Sequence, residues 1–219
     1  MSQHPGRVTL FDEWAARYDR AVTAGEPSFP FAGYDEVLAA TVRLAGARPS
    51  LRVLDLGIGT GNLAAHFVAA GCQVWGLDFS APMLAQARER LPLAHLIQAD
   101  LLAEWPIAAR PLFDRIVTAY VLHEFDLPDK LRLLEAAGRY LKPGGFIVVA
   151  DIAFPTTAGR AAAAAQWADL WDEAESYWAA DEAIAAGAAL GLSLTYQPVS
   201  WCAGVLTVRA ENGRLPQPE

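Results

Sequence analysis

Ten residues restrict what this chain can fold into more than any others: Val53-Leu54-Asp55-Leu56-Gly57-Ile58-Gly59-Thr60-Gly61-Asn62. Apolar side chains at 53, 54 and 56 do not alternate with polar ones, the pattern of a strand buried on both faces, as in a parallel sheet. Glycines at 57, 59 and 61 supply turn conformations closed to other residues and let backbone approach a ligand closely. Alone, such a turn is also compatible with a tight connection that binds nothing. Two details narrow the choice. A dinucleotide fingerprint would place its last glycine at position 62, where Asn62 stands, and the third glycine comes one place early. Asp55, two residues before the turn, would also face a pyrophosphate with its own negative charge.

The rest of the chain repeats the strand-then-helix unit. Helices are predicted over residues 10–22 and 34–45, before the first strand at 51–56. A helix at 63–70 is stopped by Gly71. Strand 73–78 and helix 81–91 follow, with Ser80 as cap and Pro82 in the first turn. Further strands are predicted at 94–98, 115–121 and 146–152, and a helix opening at Pro128 precedes the turn Lys142-Pro143-Gly144-Gly145. From 161 to 180, Trp167, Trp171, Ala174 and Trp178 recur at helical spacing opposite acidic residues, which predicts an amphipathic helix. A helix at 181–190 and strands at 192–201 and 204–210 complete an α/β chain whose sheet ends in an antiparallel pair.

In this order Asp55, Asp78 and Asp100 all fall at the carboxyl edge of the sheet, where open α/β sheets bind ligands. An acidic rim suits a nucleoside carrying cationic groups better than one carrying phosphates. Charge excludes other partners. Twenty-five acidic against 17 basic side chains leave a net charge of −8, and the basic residues are scattered, so a nucleic-acid surface is not expected. At 53% hydrophobic and 19% charged residues the chain is too apolar for disorder. Cys72 and Cys202 lie far apart, outside any metal-ligand spacing, which fits a reducing, cytoplasmic setting. No run approaches the roughly 20 apolar residues of a membrane span, and no signal peptide, metal site or membrane role is expected.

Residues 55–62, with Asp78 following and Asp100-Leu101 beyond, resemble the cofactor site of class I S-adenosylmethionine-dependent methyltransferases. The resemblance extends through Leu141-Lys142-Pro143-Gly144-Gly145 and the closing strand pair, and so covers nearly the whole chain. The opening Phe11-Asp12-Glu13-Trp14-Ala15-Ala16-Arg17-Tyr18-Asp19 is similar to the N-terminal helix of small bacterial members, which closes over the cofactor. Gly61-Asn62, Asp151-Ile152-Ala153-Phe154 and Trp201-Cys202-Ala203-Gly204 are similar to the YrrT-like branch. The resemblance implies a Rossmann-like fold: a mostly parallel seven-stranded sheet, helices on both faces and an antiparallel last strand. It implies one domain over 1–219, with an N-terminal helical cap at about 8–46 and a Trp-rich helical lid at about 155–180. It also implies S-adenosylmethionine as cofactor and S-adenosylhomocysteine as product. Gly57, Gly59 and Gly61 would lie under the methionine part, whose ammonium group Asp55 would hold, and Asn62 would also bind the cofactor. Asp78 would accept from both ribose hydroxyls, and Phe79 and Met83 would flank the adenine. Asp100 and the Leu101 amide would read the adenine edge. Ala119 and Tyr120 would lie near the methionine moiety, and Trp14 and Tyr18 would close the site.

Methyl transfer from a sulfonium is an in-line displacement, and a base is needed only if the acceptor must lose a proton. Tyr120, His123 and Glu124 stand in the right place, with Tyr120 and His123 as the catalytic candidates. His123-Glu124 does not continue as a zinc motif, because Leu127 occupies the position of the second histidine. The Asn- or Asp-Pro-Pro-aromatic turn of DNA amino-methyltransferases is absent, since the chain reads Thr118-Ala119-Tyr120-Val121. A small-molecule acceptor is therefore expected, in a monomer or homodimer. Trp167, Trp171, Tyr177 and Trp178 are candidates to roof its pocket, or simply to pack on the sheet. A non-catalytic cofactor-binding protein and a nicotinamide-dependent oxidoreductase are the alternatives.

Overall fold

A computed structural model describes residues 29–107 and 113–210. Among the described residues, helix α1 (Tyr34–Ala45) comes first and buries Val37, Leu38 and Thr41. The repeating unit then runs β1 (Arg52–Leu56), α2 (Asn62–Ala69), β2 (Gln73–Asp78), α3 (Ala81–Arg90), β3 (His95–Gln98) and β4 (Phe113–Ala119). A single 3-10 turn, Leu122–Glu124, leads to α4 (Leu127–Gly138) and the long β5 (Leu141–Phe154). The described residues finish with α5 (Thr157–Gln166), β6 (Trp178–Ala179), α6 (Ala180–Ala188), β7 (Leu192–Pro198) and β8 (Ala203–Ala210).

Capping follows sequence chemistry. Ser80 accepts from the Met83 amide at the start of α3, and Asp126 accepts from the Asp129 amide at the start of α4; each helix has a proline in its first turn. The sheet order is β3-β2-β1-β4-β5-β8-β7, with β6 paired to β5. The neighbours from β3 to β5 are parallel, and β8 is antiparallel to both β5 and β7. This is the predicted Rossmann-like, mostly parallel architecture. Alternate residues of the central strands feed two cores: Val53, Val117 and Val148 on one face, Leu54, Ile116 and Ile147 on the other. Reversal of strand order beside β1 opens a crevice at the carboxyl ends of β1 and β4, the usual ligand site of such sheets.

Two expectations are corrected. The predicted turn at 142–145 lies within β5: Leu141 pairs with Phe113, Phe146 pairs with Arg115, and the intervening residues bulge out. The predicted helix through 161–180 ends at Gln166. Thr156 caps α5 by accepting from the Gly159 amide, and the indoles beyond it go to different partners. Trp171 stacks on Phe29, whereas Trp178 enters β6 beside Ala153. The helical spacing of the aromatics thus belongs to a folded loop that sends Trp167 and Trp171 to one core and Trp178 to the other. The predicted helix at 10–22, with Trp14 and Tyr18, lies outside the described residues.

Candidate active site at the carboxyl edge of the sheet

The turn after β1 holds Gly57, Gly59 and Gly61 at φ of +70°, +53° and +87°. It is fastened to the neighbouring strand, because the Gly57 and Ile58 amides both donate to the Leu77 carbonyl at 2.8 and 2.9 Å. A side chain at Gly57 would collide with Val121, but one at Gly59 would meet nothing within 4 Å. Gly59 therefore marks the open face of the turn. Its amide donates to Asp78 Oδ2 at 2.8 Å, and the Ser80 amide donates to Asp78 Oδ1 at 2.9 Å. Asp78 is only 6% exposed, so this carboxylate shapes the turn as well as lining it.

Asp55, next to last in β1, is almost fully buried, and among the described residues nothing hydrogen-bonds its Oδ2. Burial first, and then the charge of Asp78, raise its pKa well above the ordinary carboxylate range. Two carboxylates under a glycine turn form a site short of one positive charge. A ligand ammonium group would supply it, and in that respect the residues present fit the cofactor's amino-acid end.

Asp78, Phe79 and Met83 are brought together at the end of β2 and the start of α3; Phe79 is half-buried and Met83 buried. The Ala99 amide donates to the Asp78 carbonyl, which places Asp100 and Leu101 on the same edge. Asp100 turns one oxygen to the Leu102 amide, and the Leu101 side chain is core. Asn62 donates to the Tyr34 hydroxyl and pairs through its carbonyl with Arg90. Ala119 ends β4 opposite Ala150. Tyr120 follows in the left-handed region at φ +56°, an uncommon conformation for a non-glycine residue, with its ring stacked on Tyr34 at 5.1 Å. Its hydroxyl is buried without a partner among the described residues, and burial pushes its pKa far up.

His123 is 8% exposed. Its Nδ1 lies 2.6 Å from Asp151 Oδ1, its amide donates to Asp151 Oδ2, and the Trp178 indole donates to the same oxygen at 3.1 Å. On the other side of the ring, Nε2 is 3.8 Å from both Glu124 Oε1 and Glu175 Oε1. Burial lowers the His123 pKa, but the Asp151 charge and hydrogen bond and the Glu175 charge outweigh it, and the net shift is upward. Glu175 is delivered by the loop after α5, where the Ser176 amide donates to the His123 carbonyl at 2.7 Å. Lys130 reaches the Ser176 carbonyl from α4 and lies over the Trp178 ring; burial brings its pKa down to about 8. Tyr177 and Trp178 are core, whereas Trp167 and Trp171 are half-buried.

Neither Asp151 nor Glu175 was among the predicted site residues, although Asp151 opens a stretch similar to the YrrT-like branch. Asp151 left a signal, as a lone charge inside the apolar run of β5; Glu175 left none, being one acid among several.

Residues 53–145 match the family model described as a methyltransferase domain. An uncharacterized methyltransferase of Geobacillus kaustophilus is 37% identical over 150 residues, which are 67% of this chain and 67% of that one. The chain belongs to the class I S-adenosylmethionine-dependent methyltransferases. Another relative of this methyltransferase is the uncharacterized YrrT of Bacillus subtilis, 35% identical over 67% of this chain and 68% of its own. Among solved structures, a complex of DhpI with SAM and HEP superposes with a TM-score of 0.71 at 21% identity, covering 95% of the methyltransferase and all of DhpI. Magnesium protoporphyrin IX methyltransferase from Synechocystis, with bound SAH, gives 0.68 at 16% identity over 92% and 98% of the two chains. At these identities the likeness concerns the fold.

Proposed function

We propose that the methyltransferase binds S-adenosylmethionine across the β1–β2 edge and directs its methyl group, in line, to a small-molecule acceptor. The observation that carries this reading is Asp55, a buried carboxylate two positions before the glycine turn, one of whose oxygens is unmet among the described residues. When bound, the cofactor supplies an electrophilic methyl group on a sulfonium. The chain's own residues hold and orient it. Asp55 takes the ammonium group, while Asp78, which accepts from the Gly59 and Ser80 amides, turns its carboxylate to the ribose hydroxyls. Phe79 and Met83 flank the adenine, and Asp100 and Leu101 read its edge. Solved structures of the same fold are complexes with SAM or SAH, which supports this choice of cofactor.

The acceptor side starts where β4 ends. Tyr120, with its phenol held protonated, acts as a hydrogen-bond donor and positioning group rather than a base. His123 presents Nε2, the ring nitrogen that Asp151 does not engage. Net acidity and the absence of an Asn- or Asp-Pro-Pro-aromatic turn favour a small, non-polyanionic acceptor. Of the four aromatics considered as a roof, Trp167 and Trp171 remain the candidates, because they are half-buried whereas Tyr177 and Trp178 are core.

Thermal unfolding with S-adenosylmethionine, S-adenosylhomocysteine and NAD tests the cofactor, since a ligand selective for the folded state raises apparent stability. Stabilisation by the first two is expected. Stabilisation by NAD alone would reassign the chain to nicotinamide chemistry, and cofactor binding without turnover across a broad acceptor panel would make it a non-catalytic binder. Replacing Asp78 by Ala is expected to weaken cofactor binding by about 1–3 kcal/mol, the range for losing a charge-assisted hydrogen-bonding group. Unchanged calorimetric affinity in a folded variant would remove the ribose assignment.

A further inference from the structure

Three ligand-type atoms converge beside the acceptor side of the site: His123 Nε2, a Glu124 carboxylate oxygen and a Glu175 carboxylate oxygen, all within 4.8 Å of one another. We propose that His123, Glu124 and Glu175 bind a divalent first-row metal ion of the zinc class, with Asp151 orienting the histidine from behind.

The distances fit an ion. Nε2 is 3.8 Å from each carboxylate oxygen, too long for hydrogen bonds. A point equidistant from the three atoms lies about 2.5 Å or less from each, close to the ~2.0–2.2 Å of zinc–nitrogen and zinc–carboxylate bonds. An ammonium nitrogen at ~2.8 Å from all three would have to sit outside their plane.

The histidine is a second, separate observation. It is more than nine-tenths buried, and its Nε2 makes no hydrogen bond among the described residues. Nδ1 is committed to Asp151, a fully buried carboxylate that also accepts from the His123 amide, the Ile152 amide and the Trp178 indole. A carboxylate on one ring nitrogen fixes the tautomer that offers a lone pair at the other, the arrangement found behind metal-bound histidines. Glu124 reaches the point from the same 3-10 turn as His123, and Glu175 from the loop tied down by Ser176 and Lys130. Three protein ligands, one nitrogen and two oxygens, leave coordination positions open, the pattern of catalytic rather than structural zinc.

Binding of the metal does not depend on the methyl-transfer reading. Its use does: in that reading an open position takes an oxygen of the acceptor, which makes the acceptor a hydroxyl- or carboxyl-bearing molecule.

The test is titration of chelator-treated full-length protein with Zn2+, Mn2+ and Mg2+ by calorimetry, with Co2+ absorption as a spectroscopic report of nitrogen and oxygen ligation. One equivalent of Zn2+ is expected, bound more tightly than Mg2+. Glu175→Gln and Glu124→Gln are each expected to weaken it at least tenfold, and Asp151→Asn by 10–100-fold. Because Asp151 is core, the two glutamate variants, which are less buried, keep the test decisive if Asp151→Asn does not fold. Glu173→Gln, an exposed neighbour, serves as control and is expected to match the parent. No stoichiometric binding, or binding that neither glutamate variant changes, overturns the site. So does a cluster that takes methylammonium in preference to every metal. S-adenosylmethionine affinity measured on the same samples separates the two readings: loss of the metal alone leaves it intact.

Discussion

Asp55 stands next to last in β1 with no cation in its hydrogen-bonding reach among the described residues. Its raised pKa makes two predictions. In the folded, ligand-free state it holds its proton to higher pH than in the unfolded chain. Its contribution to stability is therefore fully present below the unfolded pKa, ~3.9, and is lost as pH rises through the folded value. A ligand ammonium group favours the ionised form, so cofactor binding is expected to release a proton in the window where ligand-free Asp55 is still protonated. Calorimetry in buffers of different ionisation enthalpy measures that proton directly. Asp55→Asn is expected to abolish the release, to weaken binding, and to leave the ligand-free fold as stable as the parent or more so. A destabilised variant that still binds fully would contradict the role given to this carboxylate.

Among elements, the glycine turn separates packing from binding at neighbouring positions. Gly57→Ala forces a methyl group into Val121, whereas Gly59→Ala meets open space and bears only the left-handed backbone cost of about 1–2 kcal/mol. The first substitution is expected to be the more destabilising in chemical denaturation. The second is expected to keep the fold and weaken cofactor binding at least tenfold, because its methyl group would stand on the proposed ligand face. The same turn was legible in the sequence: its strand, three glycines and following helix lie where the residues predicted them, within a residue or so. The segment after α5 was not. Its indoles have helical spacing, but that spacing equally suits a loop closing on Phe29, Phe154 and Tyr177. A local pattern does not distinguish one neighbour from another across the chain. For the same reason the surroundings of His123 escaped a linear reading. The residue itself was visible, but its partner Asp151 is 28 positions away and Glu175 farther still, brought in by tertiary contacts.

For the molecule as a whole, the strand order has a consequence for where the chain can be shortened. The last strand of the described residues, β8, is an inner strand, hydrogen-bonded to β5 on one side and β7 on the other. Its Val205, Leu206 and Val208 are buried in the two cores. Truncation before residue 192 is thus expected to lose cooperative unfolding, followed by circular dichroism, although it leaves the matched segment 53–145 intact.

The two amides that Asp78 accepts shape how the site receives its ligand. With Gly59 and Ser80 already tied to one carboxylate, and Gly57 and Ile58 to one carbonyl, this turn is built before anything binds. Little backbone is left there to order on arrival, so the heat-capacity change contributed by this half of the site should be that of burying the ligand's own apolar surface, without the larger value of coupled folding. The β1–β2 edge acts as a mould, and its selectivity is set by which molecules it already fits.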